Sequence, residues 1–172
     1  MLNKEKSSRL TVFSWSIYDF ANQPFTTIII TFVYSTYFMD YFCDSAERGA
    51  VLWGRIITIS SIIVALLSPV MGALADQGGY RKIFLILWTW VCIFFTFMLY
   101  FPVPGQIISA LIIFMIANIG FEMGGVFLNA YLPEISDRTN IGKISGYGWS
   151  FGYVGGLLMM GFSFLFFIQP EN

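Results

Sequence analysis

Five long apolar runs separated by short polar loops constrain what this 172-residue chain can become. They lie at about residues 12–39, 51–75, 83–101, 106–132 and 145–168. Each approaches or exceeds the ~20 residues an α-helix needs to cross ~30 Å of hydrocarbon. In a bilayer the backbone must satisfy its own hydrogen bonds, so runs of this kind become helices. Composition agrees, because only 11% of residues are charged, against about 25% in ordinary soluble domains. The expectation is an all-α membrane protein: a tail over 1–11, five transmembrane helices within 12–168, and the start of an external loop at 169–172.

The few cations set the orientation. With the N-terminus in the cytoplasm, Lys4, Lys6, Arg9, Arg81, Lys82, Arg138 and Lys143 lie inside, Arg48 lies outside and Arg55 falls within a span. Seven against one is a firm positive-inside bias, placing the C-terminal end of this chain outside. The start, MLNKEKSSRL before an apolar run, superficially resembles a secretory leader. The run is too long, carries Asp19 and lacks a small-residue cleavage site, so it is expected to be a retained first span.

The spans differ in character. The first carries Asp19, Asn22, Gln23, Thr26 and Thr27 at helical spacing, on one face of an otherwise apolar helix. A carboxylate in a span costs about 2.5 to 3.5 kcal/mol, so it should face protein or a water-filled cavity. Pro24 removes a backbone hydrogen bond from the same segment and predicts a bend there. The fourth span repeats the pattern with Asn118, Glu122, Gly125 and Asn129, a second polar stripe expected to hold a buried carboxylate. Asp19 and Glu122 would lie roughly 10 and 15 Å from the cytoplasmic ends of their helices. The second and fifth spans are rich in small residues. In the fifth, Gly148, Gly152 and Gly156 form two overlapping G-x-x-x-G steps suited to close helix packing. The third is bland and expected to face lipid. Spans one and four thus correspond, as do two and five. This is the pattern of an inverted three-plus-three repeat, in which the matching polar helices line a cavity. On that pattern a sixth span is missing.

The loop Gly72-Ala-Leu-Ala-Asp76-Gln-Gly-Gly79-Tyr-Arg81-Lys82 resembles the motif between helices two and three of major facilitator superfamily transporters, G-x-L-A-D-R-x-G-R-K. Gly72, Leu74, Ala75, Asp76 and Gly79 match, Arg81 takes the final basic position, and Gln77 and Tyr80 replace two arginines. The stretches SWSIYDFANQPF, FEMGGVFLNAYLPEIS and GKISGYGWSFGYVGG are similar to the vacuole-effluxer-like branch of that superfamily, the autophagy-type amino-acid effluxers. The resemblance covers nearly the whole chain but only five of an expected twelve helices. It implies most of the N-terminal six-helix bundle of a major facilitator fold, here as a fragment whose C-terminal half is missing. It further implies a secondary transporter of small solutes, with amino acids or related metabolites as the leading class.

On this reading Asp19, Asn22, Gln23, Asn118, Glu122 and Asn129 are candidates for the substrate or ion pathway. Glu122 is the candidate proton carrier, Asp76 and Arg81 are candidates for a conformational latch, and Gly72, Gly148, Gly152 and Gly156 are helix-packing positions. The expected partners are the lipid bilayer, a small-molecule substrate, protons and the missing half, in a bacterial inner membrane or an organellar membrane. The net charge of −1 carries no nucleic-acid signal. No histidine is present, and Cys43 and Cys92 lie in separate regions. No cofactor, metal site or enzymatic nucleophile–base arrangement is therefore expected. The rival reading is a small multipass scaffold that transports nothing, although buried acids on two helices serve no purpose there.

Overall fold

A computed structural model of the chain describes residues 9–168. Lys4, Lys6 and the expected start of an external loop at 169–172 lie outside the described residues. The described residues are mostly helical, with no strand among them. In chain order the α-helices are α1 (Arg9–Pro24), α2 (Tyr34–Tyr37), α3 (Ala46–Gly78), α4 (Arg81–Met98), α5 (Ile107–Asn129), α6 (Leu132–Ile135) and α7 (Ile141–Ser163). Wider π-helical turns occupy Phe25–Phe32, Phe38–Phe42 and Phe164–Ile168. Four helical stretches are long and apolar enough to cross a membrane: Ala46–Gly78, Arg81–Met98, Ile107–Ile135 and Ile141–Phe167. The protein is an integral, multi-pass membrane protein.

The expected first span is not one uninterrupted α-helix. Pro24 ends α1 because its nitrogen carries no hydrogen to donate to the Phe20 carbonyl. Beyond it the bonding slips by one residue: the Val33 N–H donates to the Ile28 carbonyl at 3.0 Å and the Thr31 hydroxyl to the Thr26 carbonyl at 2.8 Å. Both bonds reach back five residues, the spacing of a π-helix. The first run therefore reaches its outer end in segments.

α3 is the longest element. Ser45 caps its start, its hydroxyl accepting from the Arg48 N–H at 3.3 Å. Gly79 ends it in the left-handed region (φ 65°), where a residue without a Cβ is favoured. Its 33 residues measure roughly 50 Å at about 1.5 Å per residue, so α3 outreaches the hydrocarbon and must tilt or project from it.

The chain forms two compact units, one made of the residues up to Tyr34 with those from Ala130 onward, the other Ser35–Asn129. In the first, α1 and its π-helical continuation pack along α7. In the second, α5 packs between α3 and α4 around Val64, Ala75, Ile119, Met123 and Phe127. An aromatic cluster closes one end of the second unit: Phe38 meets Trp53 at 5.3 Å between ring centres, and Trp53 meets Phe114 at 4.0 Å. At the other end Phe84 of α4 stacks on Phe127 at 5.3 Å.

The third span is not turned to lipid on all sides. Trp90 and Phe97 of α4 are 64% and 63% exposed, but Cys92 is buried where α4 meets Gly120 of α5. A Cβ on Gly120 would lie 2.7 Å from the Cys92 backbone nitrogen, so only glycine allows that approach. The stripe of α4 bearing Phe84, Leu85, Trp88 and Cys92 serves packing, and the uniform apolar composition of the helix conceals which stripe that is.

Candidate functional site

The polar face of the first span lies along the glycines of α7. A Cβ added to Gly148 would overlap the Trp15 indole and sit 3.0 Å from Asp19 Oδ2. At Gly152 it would touch the Asp19 carbonyl oxygen and Gln23 Cβ, both at 3.7 Å. At Gly156 it would press on Thr27 Cγ2 at 2.9 Å and Gln23 Cγ at 3.4 Å. Contacts ascend both helices together, so α1 and α7 run parallel. Asp19, Gln23 and Thr27, four residues apart, share the ridge that settles onto this glycine floor. Asn22 and Thr26 are half-buried beside them.

Gly155, outside the two G-x-x-x-G steps, makes the tightest contact of this seam. A Cβ there would overlap the backbone carbonyl of Phe20. That carbonyl is the one deprived of its α-helical donor by Pro24, and the Cα–H of Gly155 approaches where a donor is missing. Weak Cα–H···O contacts of this kind recur at close helix interfaces. The signal was present in the Gly155-Gly156 pair and in the position of Pro24, but only the fold brings them together.

Among the described residues, no lysine or arginine forms an ion pair with Asp19. Its carboxylate is half-buried over a glycine surface that offers it no side-chain donor. Thr27 spends its hydroxyl on backbone: Oγ1 lies 3.3 Å from the Pro24 carbonyl and 3.5 Å from that of Gly156 across the seam.

The stripe of the fourth span does not share one environment. Asn118 is buried, and its Nδ2 donates to Ser60 Oγ of α3 at 2.7 Å. Ser60 in turn donates to the Ile57 carbonyl at 2.8 Å. This chain of bonds ties α5 to α3. Glu122 and Asn129 are exposed, which corrects the expectation of a buried carboxylate at Glu122. The reason is geometric: α3 and α4 cover the α5 face bearing Ile119, Met123 and Phe127, whereas Glu122 projects from the uncovered side.

Asp76 and Arg81 meet where α3 hands over to α4. Arg81 Nε donates to Asp76 Oδ1 at 2.6 Å, bridging the last turn of one helix and the first of the next. Gly72, expected to pack, has nothing within 4 Å of a built Cβ, so no neighbour among the described residues requires a glycine there. No cluster of three or more metal-ligating Cys, Asp or Glu side chains occurs among the described residues.

The family model for vacuole effluxer Atg22-like proteins matches residues 55–141, half of the chain, from within α3 to the start of α7. The chain belongs to the vacuole effluxer Atg22-like family. It is 28% identical over 145 residues to a protein from Bacillus subtilis (strain 168) described as an uncharacterized MFS-type transporter, YxiO; the alignment covers 83% of this chain and 34% of that protein. It is 36% identical over 78 residues to autophagy-related protein 22 of Coccidioides immitis (strain RS), covering 45% of this chain and 13% of that one. No solved structure matches. The chain thus spans about a third of YxiO and less of the fungal protein. The Atg22-like assignment makes it a member of a transporter family rather than an enzyme family, with an all-helical fold of the major facilitator type.

Proposed function

We propose that this chain is the N-terminal part of a secondary transporter that moves a small solute across a membrane by alternating access. Its N-terminus faces the cytoplasm, its C-terminal end lies outside, and a second half completes the pathway. The observation that carries this reading is Asp19, a membrane-span carboxylate resting on glycine with no cation paired to it among the described residues. An ion that served only to pin two helices would be expected to have a partner, because an isolated charge there is costly. Asp19 and Gln23 are accordingly assigned to binding the solute or a coupling ion, with Asn22 beside them. Amino acids or related metabolites are the favoured substrates, on the resemblance of the sequence to autophagy-type amino-acid effluxers; the family description supports efflux and names no solute.

Glu122 and Asn129 form the second part of the path, on the open side of α5. A carboxyl in hydrocarbon is costly, so this side faces water or protein, and Glu122 is the proton carrier. Asn118 belongs to the α3–α5 contact and contributes to the path only by fixing α5. The Asp76–Arg81 pair is a latch at the cytoplasmic face that holds the connector of α3 and α4 in one arrangement.

The test is solute exchange in proteoliposomes containing the native gene product, whose length is established first with an antibody to the N-terminal tail. Labelled amino acids should exchange across the membrane, and Glu122→Gln should leave exchange intact while removing its dependence on a pH gradient. Absence of exchange for every amino acid by correctly inserted protein would contradict the substrate class. A Glu122→Gln protein that still follows the gradient would contradict the proton role.

A further inference from the structure

One cavity lies apart from the polar face of the first span. It lies within the unit formed by α1, α6 and α7, at the end where α1 and α7 both begin, and has a volume of about 730 Å³. That is within the ~300–1,000 Å³ range of small-molecule sites. Its charged lining residues are Arg9 at the start of α1, Glu134 and Asp137 around α6, and Lys143 in the first turn of α7. Going inward, Val12 and Ile144 and then Phe151 replace them. Ser16 at that depth spends its hydroxyl on the Val12 carbonyl at 3.0 Å. On the outer side Phe13 is 51% exposed and meets Phe151 edge-on at 6.0 Å.

The cavity is charged at the ends of two helices and apolar about two turns inside them. A phospholipid has the same gradient, from head group to acyl chain. The charges narrow the head group further. Among the described residues two cations and two acids line it and sum to zero, so a polyanionic head group is repelled about as much as it is attracted. A zwitterion matches, its phosphate toward Arg9 and Lys143 and its cationic end toward Glu134 and Asp137. A primary ammonium donates hydrogen bonds to carboxylates, and such charge-assisted bonds are about twice as strong as neutral ones. A quaternary ammonium has no hydrogen to donate. We propose that this cavity is a binding site for a membrane phospholipid with an ethanolamine head group, seated between the beginnings of α1 and α7 with its acyl chains along Phe13. The site rests on the membrane-spanning fold alone and does not depend on transport.

The experiment is native mass spectrometry of the full chain in detergent, titrated with phosphatidylethanolamine, phosphatidylcholine or phosphatidylglycerol of identical acyl chains. The ethanolamine lipid should bind with an apparent Kd at least about tenfold below that of either other lipid. Asp137→Asn combined with Lys143→Gln, both exposed positions, should abolish that preference. Equal retention of the ethanolamine and choline lipids by the unaltered protein would overturn the proposal, as would a preference that survives the double substitution. Free phosphoethanolamine or L-alanine displacing the lipid at equal concentration would also overturn it, marking a site for soluble zwitterions instead.

Discussion

Two parallel helix pairs in this protein are equivalent under the expected inverted repeat, yet they are built by opposite means. Spans one and five meet as α1 on α7, and spans two and four meet as α3 on α5. The first seam is floored by Gly148, Gly152, Gly155 and Gly156, so backbone approaches backbone and the polar ridge of α1 keeps its functional groups. The second is filled with bulk, from Trp53 on Phe114 through Val64 and Ile119. Its buried amide, Asn118, donates to Ser60 through Nδ2, while its Oδ1 has no hydrogen-bond partner among the described residues. The difference teaches that an intramembrane polar residue is not a functional residue by composition alone. Where large side chains separate the helices, a buried amide is held by its neighbour. Where glycine brings the helices together, a carboxylate can be left without a partner.

The comparison is broken most severely at Gly155. Gly155→Leu places side-chain atoms on the Phe20 carbonyl, a backbone group that cannot turn aside, and should cost about 3 kcal/mol or more. The loss is read as a large fall in the temperature at which the detergent-solubilised protein stays monodisperse; an unchanged temperature would mean α1 and α7 are not packed as described. Gly120→Ala tests the α4–α5 contact in the same assay, with an expected cost of about 1 to 3 kcal/mol from the 2.7 Å approach to the Cys92 nitrogen. Gly72→Ala, where a Cβ meets open space, is the control and should be silent. Asn118→Ala should cost less, about 0.6 to 1.7 kcal/mol, the range for hydrogen bonds between membrane helices. Ser60→Ala should reproduce most of that loss, and the double substitution should add little to either. The smallest effect belongs to Asp76→Asn, since the exposed pair with Arg81 is worth at most about 1 kcal/mol.

Much of this architecture was legible in the sequence, because apolar length is a one-dimensional signal. The four long apolar helices after the first run, the turn at Gly79 and the glycine steps of α7 follow from residues that act locally, although α3 runs on to Gly78, past the expected end of the second span at 75. What stayed hidden depends on partners distant in sequence. Glu122 and Asn118 are one helical turn apart and look alike on a helical wheel. Only the positions of α3 and α4 decide that one is exposed and the other buried. Gly155 gains its meaning from Pro24, over a hundred residues earlier. The segmented outer half of the first span was signalled by Pro24 as a bend, but the shift to five-residue bonding arises from the run after it.

The central claim is that Asp19, resting on the α7 glycines, is held for the transported solute or its coupling ion. It is tested most directly by comparing Asp19→Asn with the unaltered native product in proteoliposomes at matched, verified insertion. Asparagine keeps the shape and removes the charge, so the seam with Gly148 should survive and thermal stability should change little. The account predicts intact folding with solute exchange abolished. Exchange at the unaltered rate would show that the carboxylate serves only the helix contact, and would remove Asp19 from the pathway.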